Sequence, residues 1–245
     1  LIDLTTLGYT YHTVTFSIFS DDPSSSDKVR DHLSCASQVV AYSETGGQHQ
    51  FCALIASRSH DGIDLFLSEL EKNVGYVVKE KQIATHLRSY DYRCDYLFSK
   101  SQEERALSWG SSNNFEKIDQ LDHKILRSFS ELTSFSYADV ARQLEIPLST
   151  SEYRIKRLEK LGVIVGYRTI LRTERLGAHR FWMPIVARGS SSALLELFND
   201  YCNRNPFVRF TSRTFGAWDF EISFDAPNAQ SVVLVVQNFN ETFKN

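Results

Sequence analysis

At 245 residues the chain is long enough for two or three domains, each able to bury a core of its own. Apolar residues make up 42% of it, charged residues 23%, and 17 phenylalanines exclude a disordered chain, because aromatics at that density must be buried somewhere. The formal charge of −3 excludes bulk attraction to a polyanion, so any nucleic-acid contact has to come from a local basic surface.

Four cysteines, Cys35, Cys52, Cys94 and Cys202, form no CxxC pair and have no partnering histidine cluster. That spacing argues against a metal site or a disulfide framework, and reads as reduced thiols of a cytoplasmic protein. No apolar run approaches the ~18 residues of a membrane helix, so no membrane partner is expected.

In chain order, the first element is a period-two apolar strand, Tyr11 to Ile18. A helix is expected over Asp27 to Ser37, then a hairpin in VVAYSETGGQHQFCALIA, a second helix in DGIDLFLSELEKN and a further strand from Tyr76 to Tyr90. Strand, helix, strand, strand, helix, strand is the split βαβ arrangement, a ferredoxin-like βαββαβ unit spanning 1–93. A polar, serine-rich linker is expected over 94–117.

Residues 118–172 read as three helices and a wing. In DQLDHKILRSFSEL, Asp119 to Leu132, the residues Leu121, Ile125, Phe129 and Leu132 share one face. Ser136 caps a second helix with Val140 and Leu144 buried, and the short IPLS corner leads to a third, STSEYRIKRLEK, stopped by Gly162. At 100° per residue, Ser151, Ile155 and Leu158 face inward, while Ser149, Thr150, Tyr153, Lys156, Arg157 and Lys160 face outward. Arg154 sits at the flank of the buried face, where it braces the helix or touches backbone phosphate, and it belongs with the DNA-binding candidates. VIVGYRTIL then reads as the strand and turn of a wing. Hydroxyls, a tyrosine and arginines on one helix face suit the major groove of double-stranded DNA, with phosphate contacts from Lys156, Arg157, Lys160, Arg168 and Arg172.

The remainder repeats the beginning. Gly8 and Gly177, like Gly47 and Gly216, are separated by 169 positions, and strand, helix and hairpin patterns recur in that register over 173–245. The register places the start of the last strand at Asn245, so this second unit is expected to lack it. LIDLTTLG at the start lies over ILRTERLG, which follows the wing, and points to a longer tandem parent.

LDHKILRSF followed by YADVARQLEIPLSTSEYRIKRLEKLGVIVGYRTIL resembles the winged helix of the Lrp/AsnC (feast/famine) transcriptional regulators, and NPFVRFTSRTFGAWDFEISF resembles their effector and oligomerisation (RAM) domain. The resemblance implies an α+β fold with two ferredoxin-like RAM domains flanking a winged helix-turn-helix, acting in transcription regulation and not as an enzyme. It also implies an amino acid or other small-molecule effector at Phe215, Gly216, Ala217, Trp218 and Asp219, and RAM pairing as a homo-oligomer or an intramolecular pseudo-dimer. No cofactor and no catalytic residue are expected. The family usually opens the reading helix with a serine cap; here Pro147 and Leu148 stand there, with Ser149 or Thr150 as substitutes. Gln50 occupies the first copy's counterpart of Asp219.

Two alternatives remain open in the sequence. Tandem chains of this kind also resemble siroheme decarboxylases, for which His12, His49, His86, Arg88, His179, Arg180, Arg209 and Arg213 are the candidates. A RAM sensor that does not bind DNA is the other.

Overall fold

The computed structural model describes residues 1–19, 23–59, 61–75, 78–94, 96, 106–110, 115–131, 136–168, 171–187, 189 and 192–243. Leu132, Tyr76, Thr169, Ile170, Asn245 and most of the expected linker lie outside them. The chain divides into two compact units, Leu1–Lys81 with Trp109–Tyr167, and Gln82–Ser108 with Arg168–Asn245.

In the first unit, β1 (Thr10–Ile18) pairs antiparallel with β3 (Phe51–Ser57), which pairs with β2 (Val39–Glu44) across a bulge between Val39 and Ala41. Strand alternation puts Val14, Phe16, Phe51, Ala53 and Ile55 on one face, and all five are buried. Phe16 and Phe51 stack there at 5.3 Å. α1 (Pro23–Cys35) and α2 (Asp61–Val74) pack against each other and bury Val29, Leu33, Phe66 and Leu70. Each such side chain contributes about 1.5–3 kcal/mol by leaving water. The first helix begins four residues earlier than the sequence pattern indicates.

The same unit contains α3 (Gln120–Glu131), α4 (Tyr137–Gln143) and α5 (Leu148–Lys160). Ile125, Leu126, Val140, Ile155, Leu158, Val163 and Ile164 form their common core. Ser136 caps α4, accepting from the Asp139 amide at 3.1 Å. The corner turns through Glu145, a non-glycine residue at φ 53°, and Gly162 closes α5 at φ 72°. The expected cap of α5 is corrected: Pro147 holds that position without a side-chain hydrogen bond, and Ser149 and Thr150 lie inside the first turn. Ser151, where an aliphatic residue would pack, is buried and donates instead to the Tyr137 carbonyl at 2.9 Å.

The wing also differs from expectation. Residues 163–168 form no strand pair of their own; Ile164 bridges Ile2, the Asp3 amide donates to Val163 and the Val165 amide to Leu1. The 3-10 turn Leu4–Leu7, capped by Asp3, then inserts Leu7 into the helical core with Ile2, Leu4 and Tyr9 beside it. The three-helix domain is thus closed by the first residues of the chain.

In the second unit, β6 (His179–Ile185) pairs with β8 (Phe220–Ala226), β8 with β7 (Val208–Gly216), and β7 with β4 (Val78–Tyr92). β5 (Ala106–Trp109), inside the stretch read as linker, pairs with β4. α6 (Ser192–Arg204) and α7 (Ala229–Thr242) supply Phe198, Tyr201, Cys202 and Phe239 to a core completed by Tyr92, Val208, Phe220 and Ile222.

The 169-residue register extends to single hydrogen bonds. Gly8 donates to Thr5 and Gly177 to Glu174, Tyr9 to Leu4 and Ala178 to Thr173, each glycine in the left-handed conformation. At the hairpins, the Thr45 amide donates to Gln50 O and the Thr214 amide to Asp219 O; the Gln50 amide donates to Phe16 O and the Asp219 amide to Ile185 O. All four cysteines are free thiols. No helix among the described residues is long and apolar enough to cross a membrane, and no group of His, Cys, Asp and Glu among them is placed to hold a metal.

Candidate nucleic-acid interface

α5 forms because apolar residues recur at helical spacing, with Ser151, Ile155 and Leu158 fully buried, so its opposite face is turned outward. Tyr153 is 67% exposed and Leu148 53%. Ser149, Lys156 and Lys160 are also exposed, and Thr150 is half-buried. Lys156 pairs with Glu152 one turn earlier at 2.6 Å, an exposed contact that a phosphate can displace because such pairs contribute little. From the wing, Tyr167 donates to Glu159 at 2.7 Å. Burial, and then that bond, push the Tyr167 phenol up from its ordinary value.

The arginines behave differently. Arg157 Nη1 donates to Asp122 Oδ2 at 2.9 Å, and Arg154 Nη1 to Asp119 at 2.5 Å and Asp122 at 3.2 Å. Asp122 is fully buried. Both arginines therefore brace α5 against the start of α3. For Arg154 the sequence geometry anticipates this; for Arg157 it does not. Arg168 is engaged with Asp91, its Nη2 donating to the Asp91 carbonyl at 3.2 Å and its Nε lying 3.4 Å from the carboxylate. Arg172 is exposed. Asp119 and Asp122 are the residues that sequence reasoning passed over. The available signal was an Asp-x-x-Asp helix start in the same domain as two arginines three residues apart.

In the hairpin 215–219, Phe215 is 73% exposed and Trp218 is buried. The Ala217 amide donates to the Ile83 carbonyl at 3.0 Å, and Asp219 Oδ2 accepts from the Ala187 amide at 2.8 Å. These are the two groups that a zwitterion would engage. In the first copy, Gln50 Oε1 accepts from the Ile18 amide at 3.0 Å, the same bond in the 169 register. Trp218 and Trp182 both donate to buried Glu221 at 3.3 Å, and Glu221 pairs with His86 at 3.1 Å. Of the other histidines and arginines singled out in the second unit, Arg180 and Arg209 converge on buried Asp225, at 3.0 and 3.5 Å, whereas His179 and Arg88 are exposed. Arg213 is half-buried on β7. His12 and His49 are buried in the first unit.

Three helices with a short corner and an outward face carrying Lys156 and Lys160 on the third have the arrangement of a DNA-binding helix-turn-helix. Residues 118–165 match the family model described as winged helix-turn-helix DNA-binding. Among curated proteins, an uncharacterized HTH-type transcriptional regulator of Pyrococcus furiosus is 43% identical over 61 residues, covering 25% of this chain and 41% of its own length. The proline dehydrogenase transcriptional activator of Rhizobium radiobacter is 29% identical over 111 residues, 44% of this chain and 71% of that protein. The chain thus spans less than half the length of the first of these relatives. Among solved structures, the siroheme decarboxylase NirDL bound to an iron-uroporphyrin III analogue superposes with a TM-score of 0.61 at 12% identity, over 98% of this chain and 69% of that one. At that identity the likeness is one of fold.

Proposed function

We propose that the chain is a transcriptional regulator of Lrp/AsnC type, in which α5 enters the major groove and two ferredoxin-like RAM units flank the winged helix. The observation that carries this reading is the exposed face of Ser149, Tyr153, Lys156 and Lys160 on a helix whose opposite face is fully buried, within the segment that matches DNA-binding winged helices. The hydrogen bonds repeated at 169 residues support two units of one kind. An amino acid is the effector class the RAM reading assigns to the 215–219 hairpin, and pairing of the two units, within or between chains, is its assembly. Cytoplasmic residence accords with this role.

The test is a gel shift on genomic fragments at rising salt. Each phosphate contact contributes about −0.9 to the slope of log K against log salt, so a DNA-binding chain loses affinity steeply. Tyr153→Ala is expected to abolish sequence-specific retardation and Lys156→Ala to weaken binding on all fragments alike; unchanged retardation by both variants overturns the reading.

A second reading, a tetrapyrrole enzyme resembling siroheme decarboxylases, is favoured by one observation, the fold likeness over nearly the whole chain. Titration with an iron porphyrinoid separates the two, since a stoichiometric absorbance change without DNA retardation selects the enzyme.

A further inference from the structure

The start of α3 is held by a reciprocal cap. The Asp122 amide donates to Asp119 Oδ1 at 2.9 Å, and the Asp119 amide to Asp122 Oδ2 at 3.2 Å. Onto these two carboxylates α5 lays Arg154 and Arg157, one turn apart on the same helix. Arg157 Nη2 also reaches the Lys117 carbonyl at 3.4 Å. The Asp122 amide and the Arg154 guanidinium hold the Asp119 carboxyl below its usual range. Asp122, fully buried, is shared by both arginines. A buried carboxylate that loses its guanidinium partners is strongly penalised, so this pairing has one favoured geometry. It fixes how far α5 is rotated about its axis, which in turn sets where Ser149, Tyr153 and Lys156 project.

We propose that Asp122 is the positioning residue of the reading helix: through Arg154 and Arg157 it sets the angle of α5, so these two arginines orient the helix, base reading falls to Ser149 and Tyr153, and Lys156 contacts phosphate. This rests on the DNA-binding reading above and deepens it. A fork of two arginines beside a basic helix face resembles a phosphate clamp in sequence; here one Nη1 of each already donates to a carboxylate of the same domain. Rigid support from behind, not an added contact, is what such a pair supplies to a recognition surface.

The experiment uses the whole chain and two probes: duplexes enriched by the wild-type protein from a random-sequence pool, and poly(dI-dC) as non-specific DNA. Asp122→Asn keeps the shape of the side chain while removing its charge. It is expected to lower affinity for the enriched duplex about tenfold, the worth of one good base contact, and to leave poly(dI-dC) affinity and the salt slope unchanged. Arg157→Gln, which leaves Asp122 paired with Arg154, is expected to act in the same way, and the double variant to be no worse than the stronger single one, since the two residues form one unit. A general loss of folding would depress both probes together, which the ratio of the two affinities distinguishes; Arg157→Gln carries the test if Asp122→Asn does not fold. If Asp122→Asn tightens binding and steepens the salt slope, or if Arg157→Gln lowers the slope by about one phosphate, the arginines are phosphate contacts and the proposal is overturned. If the wild-type chain enriches no sequence, the DNA-binding reading itself falls, and the proposal with it.

Discussion

Replacing Gly216 by alanine tests how closely β4 approaches the end of β7. Gly216 has φ 129°, and a Cβ there would lie 2.5 Å from the Ile83 carbonyl oxygen and 3.3 Å from the Ala84 Cα, both backbone atoms of β4. Backbone cannot swing aside as a side chain can. The substitution therefore combines about 1–2 kcal/mol of left-handed strain with about 1 kcal/mol for the Ala217 to Ile83 hydrogen bond that the displaced strand loses. A destabilisation of about 2–3 kcal/mol corresponds to a fall in Tm of roughly 4–12 °C for a chain of this size. The internal control is Gly47→Ala at the equivalent position of the first copy, where φ is 156° and no atom lies within 4 Å. There only the left-handed strain of about 1–2 kcal/mol remains, without a clash or a lost hydrogen bond, so the loss should be smaller than at Gly216. Calorimetric melts of both variants, with amide exchange at Ala84 and Ala217, measure the difference. Equal losses in the two variants would refute the reasoning, because the argument rests on the β4 backbone and not on glycine itself.

Leu7→Ala removes a buried side chain from the helical core and should cost about 2–4 kcal/mol, whereas Leu176→Ala, at a leucine 59% exposed in the matching turn, should cost less than about 0.5; denaturant titration compares them. Asp219→Asn should leave the melt unchanged, since Gln50 makes the same bond with an amide oxygen, whereas Asp219→Ala should cost about 1 kcal/mol; a melt of Asp219→Asn as low as that of Asp219→Ala would show that the charge matters. Asp119 has its folded pKa held below the ordinary value of about 3.9, so its stabilising contribution is present above that pH and is lost as pH falls through the lower folded value. Asp119→Asn should therefore flatten the acid limb of the stability curve below about pH 4 and leave neutral pH less affected, as followed by circular dichroism.

The periodic elements were legible because each depends on local spacing. α3, α4 and α5 appear where Ile125, Val140, Ile155 and Leu158 recur at helical intervals, and Gly162 ends α5 as its lack of a Cβ allows. Contacts between residues far apart in sequence were not legible. Nothing local in LIDLTTLG announces that Leu7 completes a helical core more than a hundred residues further on, or that Ile2 bridges Ile164. The reach of Arg157 was hidden for a related reason. Helical angle places it outward, but its side chain is long enough to reach back to Asp122, and rotation by 100° per residue describes where a Cβ points, not where a guanidinium ends. Gln50 and Asp219 differ in charge, yet in the structure they accept the same hydrogen bond, from the Ile18 and Ala187 amides.

The insertion of Leu7 among Ile125, Leu158 and Val163 sets an order of events during synthesis. The turn leaves the ribosome before the helices it closes. At ~5–20 residues per second the wait is roughly 10–30 s, long against the microsecond formation of a helix. Through that interval the helical core that buries Leu7 here is not yet made, and a nascent chain stalled within α3 would hold this turn apart from Ile125, Leu158 and Val163.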